Sequence, residues 1–197
     1  MERPSLLIAT RNSHKTQEIA VLLGSSFYVC DLSALPESPE VEETGATFLE
    51  NATLKARALS ECTDALVLAD DSGLEVDALG GEPGVCSARY AGPEADDDAN
   101  NRKLILELAG VPADRRTGRF RCVIVAAQGG QILADFAGTV EGSLASEPKG
   151  SEGFGYDPLF VPKGYQQSFA EMGPGVKNKL SHRAKAMNPV AQWLRRR

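Results

Sequence analysis

The chain has 197 residues, 42% of them hydrophobic and 24% charged, and a formal net charge of −6. This composition excludes a disordered or fibrous polymer, and the acidic balance argues against a broad nucleic-acid-binding face, which needs a basic surface. The four cysteines, Cys30, Cys62, Cys86 and Cys122, stand far apart with no CxxC pair, so neither structural zinc nor a disulfide framework is indicated, and reduced thiols in a cytosol fit the pattern.

In chain order, "SLLIAT" (Ser5 to Thr10) reads as a buried strand. This apolar run is too short for a signal peptide, and no later stretch is long enough to span a bilayer, so a soluble cytoplasmic protein is expected. Residues 13–24 place Ile19, Leu22 and Leu23 at helical spacing, with Gly24 as a stop. "FYVC" is a short strand, and Leu35 to Gly45 is a polar loop rich in Pro and Glu. "TFLENATLKARALSECT" is a helix with Phe48, Leu49, Ala52, Ala56 and Leu59 on one face.

"ALVLA" (Ala65 to Ala69) is a core strand that should end at Asp70 and Asp71, turn at Ser72 and Gly73, and resume as a second short strand in "LEVDAL". "DDDANNRKLILELAG" is a helix with acids at its start and Gly110 at its end. Two strands about a "GG" turn follow, readable as an arm of the sheet or as a dimer contact. "LFVP" is a short strand, and "SHRAKAMNPVAQWLRRR" closes the chain as a helix whose final arginines suit a solvated C-terminal end. Alternating strands and helices interrupted by a hairpin predict an α/β fold with a mixed sheet and two lobes about a cleft.

Five segments carry candidate chemistry, and each has a plainer reading. Asp70 and Asp71 stand at a strand end, where α/β proteins place ligands. They serve either as turn initiators or as a metal ligand and general base, Mg²⁺ being the cation that takes one or two carboxylates and keeps water and phosphate. "VEETG" (Val41 to Gly45) is either solvated loop charge beside a helix cap or a second acidic ligand. "ATRNSHK" (Ala9 to Lys15) is a strand–turn–helix junction: an ordinary turn, or a phosphate site where free N–H groups and the positive helix end meet the ligand. It lacks the Walker pattern.

"GSEGFGYDP" (Gly150 to Pro158) has three glycines in six positions, with Phe154 and Tyr156 available to stack on a base and Asp157 to accept hydrogen bonds; a tight loop anchored in the core is the alternative. "KNKLSHR" (Lys177 to Arg183) puts cations before and within the first turn of the last helix. That placement conflicts with the helix dipole unless an anionic or carbonyl-rich ligand relieves it, or unless the loop is simply a charged surface. No HExxH, GxSxG or Nudix-like acidic helix is present, and Cys86 has no activating motif and reads as a small apolar side chain. Acids for a metal, a phosphate turn, an aromatic–glycine loop and a basic segment together make the parts of a nucleoside triphosphate site.

Six stretches, in this order, carry a resemblance: "LLIATRNSHK", "EETGATFLENATLKA", "LADDSGLEVDALGGEPGVCSARYAG", "FRCVIVAA", "GFGYDPLF" and "KLSHRAKA". Across nearly its whole length the chain resembles the inosine triphosphate pyrophosphatase family, the XTP/dITP diphosphatases. The resemblance implies an elongated mixed β-sheet flanked by helices, two lobes with a central substrate cleft, in one domain over residues 1–197. It also implies a homodimer and Mg²⁺-dependent hydrolysis of ITP, dITP and XTP to the monophosphate and pyrophosphate, with no nucleic-acid or membrane partner. It puts metal ligands at Glu42 and Asp71 and the general base at Asp71. Substrate contacts fall at Thr10, Arg11, Asn12, Ser13, His14, Lys15 and Ser72, and a base pocket at Phe154, Gly155, Tyr156, Asp157, Lys177, His182 and Arg183. Where the family commonly reads T-G-N-x-G-K, this chain reads "TRNSHK", with Arg11 and His14 in place of glycines. Like-charge repulsion from Asp70 is expected to make Asp71 more basic.

Overall fold

Ser5–Ile8 forms β1, and the chain leaves the strand before Thr10. In this computed structural model residues 3–197 are described; Met1 and Glu2, which the expected domain includes, lie outside the described residues. Asn12 caps α1 (Ser13–Leu23), accepting from the His14 and Lys15 amides, and Gly24 ends the helix at φ 65°, a conformation open to glycine. Tyr28–Asp31 is β2. The Pro- and Glu-rich segment 35–46 carries no helix or strand. α2 (Phe48–Ser60) opens with a capping box between Thr47 and Glu50.

β3 differs from the sequence expectation. It runs unbroken over Leu66–Val76, straight through both aspartates, Ser72 and Gly73. The predicted turn is absent because both carboxylates find cationic partners inside the protein, so the strand has no need to carry them to solvent. α3 (Asp97–Glu107) is capped by Asp96. β4 (Thr117–Gln128) and β5 (Gln131–Leu144) join through Gly129 and Gly130, both at positive φ, in a connection only antiparallel strands can take. β6 (Phe160–Pro162), α4 (Phe169–Met172), α5 (Pro174–Leu180) and α6 (His182–Leu194) complete the chain, with Pro189 inside α6.

The strands form one six-stranded sheet in the order β2-β1-β3-β4-β5-β6. β1 is parallel to both neighbours, with Leu6 opposite Val29 and Leu66, whereas β5 and β6 are antiparallel, with Gly142 opposite Pro162. The sheet is mixed, as expected, and the hairpin is part of it.

The chain divides into two compact units. One comprises the residues up to Asp71 with Cys122–Gly138 and Arg183–Arg197; the other comprises Ser72–Arg121 and Thr139–His182. The core of the first gathers Leu6, Ile8, Ile19, Leu68, Ile124, Met187 and Val190. The second core gathers Leu74, Leu104, Phe120, Tyr156, Phe160 and Phe169. On α2 the buried stripe runs through Phe48, Ala52, Ala56 and Leu59 but not Leu49, which is 45% exposed; Asn51 and Lys55 are buried beside it instead. Cys86 is exposed, lying in the short 3₁₀ segment Gly84–Arg89. Among the described residues no helix is long and apolar enough to cross a membrane.

The β5–β6 pairing generates a first prediction. A Cβ at Gly142 would lie 2.4 Å from the Val161 carbonyl oxygen and 2.6 Å from the Phe160 ring. Gly142→Ala should therefore destabilise the protein by about 1–3 kcal/mol, read as a lower urea midpoint with an unchanged slope.

Candidate active site

In the first unit, strand alternation sends the two adjacent carboxylates of β3 to different partners. Asp70, 2% exposed, accepts from the Lys15 ammonium at Oδ1, and at Oδ2 from Arg183 Nε (3.1 Å) and the Cys122 thiol (3.0 Å). Arg183 Nη1 in turn donates to Glu18. Burial alone would raise the Asp70 pKa, but the charges of Arg183 and Lys15 and the Cys122 bond outweigh it and hold the carboxyl well below its ordinary range. The Cys122 thiol is pushed up, first by burial and then by Asp70.

Asp71 has the opposite character. Its Oδ1 accepts from Lys55 Nζ at 3.1 Å, while its Oδ2 is buried with no hydrogen-bond partner. Burial is the largest influence and Glu43 adds to it; together they overcome Lys55 and raise the Asp71 pKa above the ordinary carboxylate value. The anticipated cause, repulsion by Asp70, gives way to these two, because Asp70 is neutralised by its own cations. Lys55 is the hub of this side. Its ammonium also donates to Glu43 Oε1 (3.0 Å) and to the Asp70 carbonyl (2.8 Å), and the surrounding acids raise its pKa against the opposing effect of burial.

Glu42 is exposed, whereas Glu43 is half-buried and reaches Lys55. Lys55 and Glu43 were both missed from sequence. The available signal was that position 55 adjoins the Phe48–Ala52–Ala56–Leu59 stripe, so a lysine there is turned toward the core and needs anionic partners.

The turn over Thr10–Lys15 is more self-contained than expected. Asn12 Oδ1 takes the amides of His14 (2.9 Å) and Lys15 (3.3 Å), and the Asn12 amide donates to Thr10 Oγ1 (3.1 Å). Two of the N–H groups expected to face a ligand are thus occupied by the cap, and the Lys15 ammonium is bonded to Asp70. Arg11, Ser13 and His14 are exposed, and Arg11 Nη2 reaches the Ser38 carbonyl at 3.5 Å.

In the second unit the glycine loop encloses Asp157, which is 1% exposed. Its Oδ2 accepts from the Phe154 amide (3.0 Å) and from Lys177 Nζ (2.6 Å), and that ammonium lies 4.4 Å from the Phe154 ring centroid. A Cβ on Gly153 would lie 2.1 Å from Asp157 Oδ2, so the close approach requires glycine. Gly155 is anchored to α3: its amide donates to Asp97 (2.6 Å) and its carbonyl accepts from Asn101 (2.8 Å).

Tyr156 belongs to the core, with its hydroxyl donating to the Ser87 carbonyl at 2.8 Å, so Phe154 rather than Tyr156 is the accessible ring of this loop. Lys177 occupies the last turn of α5, where the dipole favours a cation, and the expected conflict at a helix N-terminus does not arise for it. His182, 5% exposed, stacks on Phe120 with centroids 4.8 Å apart. Ser72 is half-buried on β3 in this unit, and Arg183 is grouped with Asp70 in the first.

The structure therefore brings Lys15 and Arg183 to Asp70, and Phe154, Asp157 and Lys177 to one another. For a metal, the relevant observation is the buried, unpartnered Asp71 Oδ2 beside a second carboxylate, Glu43. Among the described residues no cluster of three or more His, Cys, Asp or Glu could enclose an ion. Oxygen donors in so open a set suit a hard cation that keeps part of its water shell, as Mg²⁺ does, and do not suit a closed zinc site.

Residues 6–193 match the model of the Ham1 family. The dITP/XTP pyrophosphatase of Bacillus licheniformis is 48% identical over 190 residues, spanning 96% of this chain and 97% of its own. The protein of that name from Bacillus subtilis strain 168 is 45% identical over 95% of this chain and 96% of its own. Among solved structures, a HAM1 protein from Coxiella burnetii superimposes with a TM-score of 0.88 at 37% identity, covering 98% of this chain and 100% of that one. The Staphylococcus aureus Ham1 protein gives 0.86 at 39% identity, covering 97% and 98%.

The opposite states of the two aspartates are testable through stability. Asp70→Asn leaves Arg183 and Lys15 facing a neutral group, and breaking a buried pair of this kind costs about 3–5 kcal/mol. Because the folded-state pKa of Asp70 is depressed, its contribution is complete above the unfolded value of about 4 and is lost as pH falls through the folded one. The gap in thermal midpoint between wild type and Asp70→Asn should be full at pH 7 and close only in acid.

Proposed function

The chain belongs to the Ham1 family, and on that footing we propose that it hydrolyses non-canonical purine nucleoside triphosphates (ITP, dITP and XTP) to the monophosphate and pyrophosphate, with Mg²⁺ as cofactor, as a homodimer. The substrate class follows that of its relatives, the dITP/XTP pyrophosphatases. The observation that carries the chemistry is Asp71: a carboxylate with a raised pKa, one oxygen held by Lys55 and the other buried without a donor.

In this proposal Asp71 accepts a proton from the water that attacks the α-phosphorus. The new P–O bond forms as the bond from that phosphorus to the α,β-bridging oxygen breaks, and pyrophosphate leaves. A raised pKa suits a proton acceptor working near neutrality. Mg²⁺, when held by Asp71 and Glu42 of the acidic loop, would neutralise triphosphate charge and align the leaving group, while the adjacent Glu43 shares with Asp71 the Lys55 ammonium. Lys55 steadies both carboxylates through single bonds that it can exchange. Asp70 stays ionised and fixes Lys15 at the start of α1, while Arg11 presents charge from the exposed part of the same turn.

Base selection is assigned to the second unit, with Phe154 as the stacking ring and Lys177 and His182 as donors toward the purine 6-position. Arg183, the third expected donor, is committed to Asp70 and Glu18. Hypoxanthine and xanthine present a carbonyl at C6 and adenine an amino group. A donor facing that position accepts the first two and leaves adenine's N–H unpaired, which costs about 1–3 kcal/mol, or roughly ten- to a hundredfold in selection.

Pyrophosphate release from ITP, dITP, XTP, dATP and GTP, with and without Mg²⁺, tests the reading. Fast release from the first three and not from dATP, abolished by chelator, is the expected result; equal turnover of dATP would overturn the substrate assignment. A second prediction concerns Asp71→Asn. A raised folded-state pKa means that the ionised Asp71 weakens folding as pH rises above the ordinary value of 3.8. The amide variant should hold or gain stability at pH 7 while turnover falls by at least about a hundredfold.

A further inference from the structure

Phe154 stands between two glycines at positive φ, Gly153 at 81° and Gly155 at 63°, where the backbone has little preference of its own. Every backbone polar group of the Phe154–Gly155 pair is nevertheless taken. From its own loop, Asp157 accepts the Phe154 amide at Oδ2 (3.0 Å) and donates its amide to the Phe154 carbonyl (3.3 Å). From α3, Asp97 Oδ2 accepts from the Gly155 amide (2.6 Å), and Asn101 Nδ2 donates to the Gly155 carbonyl (2.8 Å). The ring carried by these bonds is half-buried, with the Lys177 ammonium 4.4 Å from its centroid.

Asn101 is 5% exposed, and its surroundings fix which way the carboxamide faces. Nδ2 donates to two carbonyls, those of Asp97 (2.8 Å) and Gly155 (2.8 Å), so only the nitrogen can occupy that side. Oδ1 is left buried, with no hydrogen-bond partner among the described residues. A buried acceptor without a donor weakens folding, so what this asparagine contributes comes through its donors to the glycine loop. Its neighbour Asn100 reaches a different segment: Oδ1 accepts from the Ala91 amide (2.7 Å), and Nδ2 donates to the Ala88 carbonyl (3.1 Å). Helix α3 thus brackets two segments of the second unit, and Tyr156 closes the bracket by donating to the Ser87 carbonyl.

We infer that Asp97 and Asn101 are positioning residues for Phe154: α3 pins the backbone groups of Gly155 from outside the loop and so holds the aromatic ring ready for a purine base. Order that exists before binding does not have to be created on binding, so a fixed ring keeps affinity that a loop hinged on two glycines would lose. The inference rests on the stacking role proposed above for Phe154. It assigns to Asp97 and Asn101 no contact with the base.

The test is calorimetric binding of inosine monophosphate, the base-bearing product of the proposed reaction, to the full chain, so that turnover plays no part. Asn101→Leu, which removes both the bond to Gly155 and the idle acceptor, should weaken this binding about tenfold, the scale of one base–aromatic stack. Asp97→Ala should do the same, and it carries the test should Asn101→Leu not fold. Asp97→Asn, which keeps a side-chain oxygen for the Gly155 amide, should bind nearly as wild type does. In a Phe154→Ala background, already weakened, Asn101→Leu and Asp97→Ala should have little further effect, because all act through one ring. Folded variants that bind the monophosphate as wild type does, an Asp97→Asn loss equal to that of Asp97→Ala, or losses that add in the double variants would overturn the positioning role while leaving the stacking role of Phe154 intact. Binding undiminished in Phe154→Ala, or absent in the wild type, would overturn both.

Discussion

Asp70 is a carboxylate with almost no exposed surface on the central strand β3, and the first unit is organised around compensating its charge. Lys15 comes from the start of α1, Arg183 from α6, and Cys122 from β4. Desolvating an isolated carboxylate would cost several kcal/mol or more. The cost is met only when two cations, separated by most of the chain length, converge on the same group. This requirement ties the first helix and the last to one strand, and Glu18 extends it by balancing the second charge of the Arg183 pair.

With Asp70 neutralised, Asp71 can differ from it. Successive strand residues face opposite ways, so adjacent acids enter separate fields instead of one shared field. One is locked in its ionised form; the other is held by a single lysine and biased toward protonation by burial and by Glu43. Two identical side chains in consecutive positions therefore supply a structural anchor and a carboxylate with a raised pKa. The helix α2 serves the second role by burying Asn51 and Lys55 along a stripe that otherwise carries Phe48 and alanines.

Much of the fold was legible in the sequence because its elements are marked locally. Asn12, Thr47 and Asp96 are N-caps, Gly24 is a stop, and Gly129–Gly130 is a tight turn between apolar runs. The helices they bound lie within a few residues of expectation. The errors share one cause. Asp70–Asp71–Ser72–Gly73 has the composition of a turn, and only the remote cations Lys15, Arg183 and Lys55 make an uninterrupted strand affordable. Leu49 was assigned to the buried face because it is apolar, although the stripe passes it by and takes in Asn51 and Lys55.

The candidate site shows the same division. Residue order alone identified the family resemblance and singled out Asp71, the glycine loop around Asp157 and Lys177 as candidates, since these depend on residue type and spacing. It did not recognise Lys55 or its partner Glu43, reveal that Tyr156 is spent on the core, or show that Lys15 is bonded to Asp70. Those facts depend on which side chain points inward and which distant charge meets it. The sequence by itself determined the elements, their order and the class of chemistry. Only the tertiary structure decided the ionisation of each aspartate, because a buried group's charge state is set by neighbours that the chain brings together from far apart.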